Sequence, residues 1–159
     1  MALDAVVYCD CFERGRLRSP PPPGCSLSVD ESGFLLCGCD DLDTQIAFDH
    51  WQFDSACSHE NGLLIQHRIG NIALVAALRE ALQETPARFP ILLSRVLYNG
   101  THCCDFIRAV EVLQLQLEVA ALSGVHCRDP QMEQFMREFE TQMGELVAAS
   151  LAVGKPIVF

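Results

Sequence analysis

The residues able to do chemistry in this chain are thiols and imidazoles at irregular spacing. Cys57 and His59 are separated by one residue, His67 follows after eight more, and His102 stands directly before Cys103 and Cys104. Thiolate sulfur and imidazole nitrogen are the donor types zinc prefers. Cys57, His59, His67, His102 and Cys103 are therefore the candidate metal ligands, on the condition that three separate loops converge. A second set is the pair of Cys-x-Cys steps, Cys9 with Cys11 and Cys37 with Cys39. Residues two apart on a strand share a face, so adjacent strands could assemble four sulfurs. An extended one-residue gap, however, holds its two sulfurs about 6–7 Å apart, which suits a tetrahedral site poorly. A nucleophilic Cys103 or Cys104, activated by His102 or His67, is the corresponding enzymatic reading, since a nearby imidazolium raises the thiolate fraction. Side chains adjacent in sequence rarely adopt that geometry, and no catalytic residue and no bound organic cofactor is assigned.

Familiar signatures are missing. The chain has no glycine-rich phosphate loop closed by Lys-Ser or Lys-Thr, no dinucleotide fingerprint and no nucleophile elbow. His59-Glu60 starts like a zinc-protease helix, but Leu63 stands where the second histidine belongs. Asp41, Asp43 and Gln45 start like a calcium loop, but Ile46 replaces its glycine and Gln52 its closing carboxylate.

The elements that must position these residues follow from pattern. Leu3 to Phe12 reads as a strand, and Arg14, Arg16 and Arg18 lead into Ser19 and the stiff run Pro20 to Pro23. Cys25 to Val29, the turn Asp30-Glu31-Ser32-Gly33 and Phe34 to Cys39 form a hairpin signal. Leu42, Ile46, Ala47, Phe48 and Trp51 suggest a short helix, Ala56 to Gly62 a loop, and Leu63 to His67 another strand. Gly70-Asn71 opens a helix that Pro86 terminates, and Pro90 to Tyr98 is a short apolar run taken as helix. Ala109 to Leu122 carries two apolar series, leaving mainly Glu111, Gln114, Gln116 and Glu118 for water. It reads as a buried helix, within the chain or at a dimer interface. The last helix is marked by Asp129, Pro130, a stripe from Met132 to Val147 and Gly154 past its end. A terminal strand follows at Lys155 to Phe159. The expectation is one α+β domain spanning 1–159, with a small antiparallel sheet from the N-terminal third and the terminal segment, packed against three to four helices.

Two segments, His67-Arg68-Ile69-Gly70-Asn71-Ile72-Ala73-Leu74 and Leu97-Tyr98-Asn99-Gly100-Thr101-His102-Cys103, resemble an uncharacterised family of bacterial hypothetical proteins. The opening Tyr8 to Gly15 and the closing Gly154-Lys155-Pro156 are similar as well. The resemblance implies a bacterial protein of about this length and no activity, cofactor or catalytic residue.

Composition limits the partners. The chain has 159 residues, half of them apolar, with 21 acidic against 11 basic side chains and a net charge of −10. Such a surface repels phosphate backbones and anionic membranes, so neither nucleic acid nor membrane is expected as a partner. The stretch between Arg18 and Arg68 holds no basic residue but eight acidic ones, Asp40, Asp41 and Asp43 among them. Nine cysteines, an odd number at irregular spacing and without a leader-like N-terminus, indicate reduced thiols in the cytoplasm. The reading these features favour is a non-enzymatic acidic interaction protein, of the inhibitor or immunity type, that engages a basic partner through Asp40, Asp41 and Asp43. The alternative is a Cys/His-dependent zinc protein or enzyme.

Overall fold

The computed structural model describes residues 2–100 and 103–159. Its main sheet begins with β1 (Ala2–Tyr8), in which Leu3, Ala5 and Val7 are buried and the residues between them are half-exposed. That alternation is what a strand with one covered face requires. β4 (Leu63–Asn71) pairs antiparallel with β1 from Ala2↔Asn71 to Tyr8↔Leu63. On the other edge of β1 lies β6 (Ile157–Val158), paired in turn with β5 (Phe106–Ile107), for a strand order β4-β1-β6-β5. The hairpin of β2 (Leu27–Val29) and β3 (Leu35–Cys37) is a separate two-stranded sheet. The architecture is α+β as expected, but the main sheet draws on the middle of the chain for β4 and β5.

Three helices build the principal core with the sheet. α2 (Ile72–Leu82) starts where the Asn71 side chain accepts the Leu74 amide, satisfying a first-turn donor. α4 (Pro130–Val153) has Asp129 as its cap and ends at Gly154, whose φ of 69° is the left-handed C-terminal conformation. Its Met136, Phe139, Met143, Leu146 and Val147 pack with Val75, Leu78 and Leu82 of α2 and with β1 in the principal core. α3 (Ala109–Ala121) differs from the expectation of a buried helix. Only its Val112, Leu115, Glu118 and Val119 face inward, while Val110, Leu113 and Leu117 are exposed. The inward Glu118, 2% exposed, accepts hydrogen bonds from the Ile91 and Leu92 amides at 2.9–3.0 Å. These are the orphan donors of the helical turn opened by Pro90, which widens to a π-turn at Leu92–Val96. A carboxylate on one helix thus caps another, a role that periodicity cannot reveal.

A smaller core lies beside the first. Phe48, Trp51 and Ala56 from α1 (Leu42–Asp54) and the segment after it pack against Leu17, Cys25, Leu27, Leu35 and Cys37. Trp51 donates its indole N–H to Ser19 Oγ at 2.9 Å, anchoring the proline-rich connection. Lys155, 6% exposed, ties the two regions: its ammonium donates to the Gly33 carbonyl at 3.0 Å and pairs with Glu13 at 2.8 Å.

Candidate metal centre

Two turns meet at the end of β1. Beyond Tyr8 the chain leaves the sheet through Cys9-Asp10-Cys11 and folds back at once: the Arg14 amide donates to the Asp10 carbonyl at 3.0 Å and the Arg16 amide to the Cys11 carbonyl at 2.7 Å. The tight return uses Gly15 at a φ of 63°. The second turn follows α1, where the Ser55 and Ala56 amides both donate to the Trp51 carbonyl, at 2.9 and 2.8 Å. Cys57 and His59 come next, and Asn61 at a φ of 53° turns the chain into β4. Because Tyr8 pairs with Leu63, the residues just after β1 lie beside those just before β4. Bonds from the Cys9 amide to Gly62 at 2.9 Å and from the Arg18 amide to Ala56 at 2.8 Å lock the turns together.

The result is one group of four donors, Cys9, Cys11, Cys57 and His59, whose ligand atoms all lie within 4.8 Å of one another. Cys9 Sγ is 3.7 Å from Cys57 Sγ, Cys11 Sγ is 3.3 Å from His59 Nδ1, and Cys57 Sγ is 3.8 Å from the same nitrogen. Zinc bonds of about 2.3 Å to sulfur and 2.0–2.1 Å to nitrogen, directed tetrahedrally, imply edges of about 3.8 Å between sulfurs and about 3.5 Å between sulfur and nitrogen. These three of the six edges match to within about 0.3 Å, and the other three are no longer than 4.8 Å. A disulfide would need about 2.05 Å, and all nine cysteines are free.

Cys11 and Cys57 are buried, whereas Cys9 and His59 are half-buried. Burial pushes the Cys9 thiol up to about 12, with the neighbouring Cys57 adding to the shift against a backbone hydrogen bond at Cys11. Burial raises the Cys11 thiol too, against a smaller pull from Arg16. Without a cation, then, these sulfurs hold their protons, and a metal entering the cluster releases them. Asp10, between the two cysteines, is itself buried. Burial would raise its carboxyl, but the hydrogen bond from Arg16 at 2.5 Å and the charge of Arg14 outweigh that and hold it below the usual carboxylate range. The ion trio fixes the Cys9–Cys11 turn from behind. Beside the sulfurs, a hollow of about 30 Å³ lined by Tyr8, Phe12, Leu17 and Leu35 has room for about one water and no substrate. Three cysteines and one histidine are a donor set that four-coordinate structural zinc sites use.

Of the residues expected from sequence, Cys57 and His59 belong to this cluster, joined by Cys9 and Cys11. His67 does not: its Nε2 pairs with Glu145 of α4 at 2.6 Å. Cys103 is exposed outside the cluster, and His102 lies outside the described residues. The four-sulfur combination also separates, since Cys37 and Cys39 lie on the hairpin with Cys25. The missed association of Cys9 and Cys11 with Cys57 and His59 had a signal, namely two one-residue pairs flanking strands able to pair with each other. The acidic residues Asp40, Asp41 and Asp43 are exposed around the start of α1, where Asp41 is the helix cap, accepting from the Thr44 amide at 2.9 Å. No helix among the described residues is long and apolar enough to cross a membrane. Compared with known proteins, the chain matches no family model, no curated protein and no solved structure.

Proposed function

We propose that this protein binds one zinc ion through Cys9, Cys11, Cys57 and His59, and that the metal is structural, bracing a non-catalytic binding protein. The observation carrying this reading is the gathering of three sulfurs and one imidazole nitrogen, from two turns 48 residues apart, within 4.8 Å of one another, with three of the six separations at 3.3–3.8 Å. Reduced, uncrosslinked thiols fit a cytoplasmic setting. The test is elemental analysis of untagged protein purified under reducing conditions without added metal. One equivalent of zinc, retained through desalting and lost in Cys57→Ser, is expected; metal-free protein that takes up no zinc on titration refutes the reading.

A second function rests on α1. At 3.6 residues per turn, Leu42, Ile46, Asp49 and Phe53 form one stripe on the face opposite Phe48 and Trp51. Leu42, Ile46 and Phe53 are all exposed, with Asp43 and Asp54 alongside. An apolar stripe edged by carboxylates suits an amphipathic basic segment of another protein. Calorimetric titration with a helical Leu/Lys peptide tests it. Binding that weakens as salt rises and is lost in Ile46→Ser with Asp43→Asn and Asp49→Asn supports the reading; binding indifferent to those changes removes α1 from it.

A further inference from the structure

Away from the zinc cluster, one pair of sulfurs is in contact at the end of the hairpin. Cys37 closes β3, Gly38 is exposed, and Cys39 follows outside the strand. The Gly38 amide donates to the Ser26 carbonyl at 2.7 Å, and the Gln45 side chain of α1 donates to the Cys39 carbonyl at 2.8 Å. The backbone is thus held on both sides of the pair, and the Cys37 and Cys39 sulfurs stand 3.2 Å apart. That separation is inside the range of about 3–3.5 Å at which reacting atoms are poised. A bond between them is also within reach of the chain. Even at full extension, residues two apart place their α-carbons about 6.6 Å from each other, inside the span of about 4.4–6.8 Å that a disulfide bridges, and Gly38, beyond the end of β3, can bend to shorten it. Burial works against ionisation of Cys37, but hydrogen bonds from the surrounding thiols and amides hold that thiol below its usual range. Cys39 is pushed the other way, first by its bond to Cys37 and then by burial. The pair therefore divides into one thiol that ionises and one that keeps its proton, unlike Cys9 and Cys11, which are both raised.

We propose that Cys37 and Cys39 are a thiol–disulfide exchange site, with Cys37 the attacking sulfur and Cys39 the resolving one, and that its substrate is a small disulfide bearing positive charge. The Cys37 thiolate bonds to one sulfur of the incoming disulfide, the external sulfur–sulfur bond breaks, and the leaving thiolate takes up the proton that Cys37 gave up. Cys39 then releases its proton and attacks the Cys37 sulfur; the mixed disulfide breaks, and the second external thiol leaves with that proton. Two protein thiols are oxidised and one external disulfide is reduced to two thiols. The surroundings choose the substrate. Both sulfurs are half-buried, which favours a small molecule over a disulfide fixed in another protein. Asp40, directly after Cys39, is exposed, as are Asp41 and Asp43, and the stretch from Arg18 to Arg68 holds no basic residue between its ends. An anionic disulfide is repelled there and a cationic one is drawn in.

Reduced protein is mixed anaerobically with cystamine, which is cationic, or with the neutral hydroxyethyl disulfide, quenched with acid at intervals, alkylated and mapped by peptide mass spectrometry. The expected first product is two hydrogens lighter, with Cys37 joined to Cys39, two external thiols released and the zinc content unchanged. Cys39→Ser should stop at a mixed disulfide on Cys37, and Cys103→Ser should react as the unaltered chain does. Mapping in the unaltered chain needs no variant to fold. Relative to hydroxyethyl disulfide, cystamine should react about threefold faster at this pair than it does with free mercaptoethanol, the effect of one opposite charge about 7 Å away in water, and Asp40→Asn should remove that excess. Disulfides that join other cysteines first overturn the proposal, as does exchange at Cys37 no faster than at the exposed Cys103, or a Cys39→Ser chain in which Cys37 still ends in a protein disulfide. A missing cystamine excess, or one that survives Asp40→Asn, overturns the choice of substrate.

Discussion

Stripping zinc from the Cys9, Cys11, Cys57 and His59 cluster should loosen one part of the molecule and leave the other standing. None of the four ligands belongs to the principal core, which is built from β1, β4, β6 and the faces of α2, α3 and α4. A metal there would instead fasten the turn after β1 to the turn after α1, closing a loop of 48 residues between Cys9 and Cys57. A cross-link over a loop of that length removes chain entropy worth about 4 kcal/mol from the unfolded state. For a domain of this size, each kcal/mol moves the midpoint of thermal unfolding by about 2–4 °C, so chelation should lower it by about 8–16 °C. Trp51 is the only tryptophan and sits in the small core beside the site, so its emission reports locally. Chelation, or Cys57→Ser, is expected to shift that emission to longer wavelength while far-ultraviolet dichroism from α2 and α4 persists. In hydrogen exchange, the Cys9 and Arg18 amides, which donate across the two turns, should lose protection before those of α4. Zinc-loaded and chelated protein with the same midpoint and the same Trp51 emission would refute the bracing role, and simultaneous collapse of α4 would refute its confinement.

Other perturbations test the frame. Glu118→Ala strips the acceptor from two buried amides, Ile91 and Leu92, and should cost about 2–4 kcal/mol in urea unfolding, with Glu118→Gln intermediate because one oxygen remains. Lys155→Ala leaves the Gly33 carbonyl and Glu13 without their shared cation; a loss of about 1–3 kcal/mol is expected, with hairpin amides exchanging faster. A Cβ at Gly100 would lie 2.9 Å from the Ile72 Cα, a backbone atom that cannot rotate away, so Gly100→Ala should destabilise by about 1–3 kcal/mol. The Glu133 carboxyl is held below the ordinary glutamate range, first by the Cys127 amide and then by Arg137 and His126. Since its folded pKa is the lower one, its stabilisation is complete above the ordinary glutamate pKa and disappears as pH falls through the folded value. Acid unfolding between about pH 5 and 3 should therefore be shallower in Glu133→Gln.

Elements with a local cause were legible before any coordinates. The caps Asn71 and Asp129, the stop at Gly154 and the hairpin around Gly33 depend on neighbours within a few residues, and each stands where its spacing put it. The orientation of α3 was not legible, because its two apolar series are equally greasy and only the position of α4 decides which turns inward. Glu118 was misread for the same reason: a carboxylate on an apolar helix looks like surface until Pro90 and its orphan amides arrive from elsewhere. At the Cys9, Cys11, Cys57 and His59 cluster, the donor types and two of the four members could be read, but the partition of the thiols follows from the Tyr8↔Leu63 register. Ile72 and Gly100, far apart in the sequence, lie side by side; proximity of that kind is invisible along the chain.

The placement of β6 next to β1 has a consequence for synthesis. β1 leaves the ribosome first among the strands, finds β4 after some seventy residues, and waits for Val158 to fill its other edge. Throughout that interval an apolar strand offers unpaired backbone groups to any passing chain. The two turns that carry Cys9, Cys11, Cys57 and His59, by contrast, meet as soon as Leu63 pairs with Tyr8, while the far edge is still open. A zinc ion bound there would give the nascent chain a fixed knot at the tip of β1 before that strand is fully enclosed. Arrival of Lys155 at Gly33 then marks the moment when the early and late portions become one body.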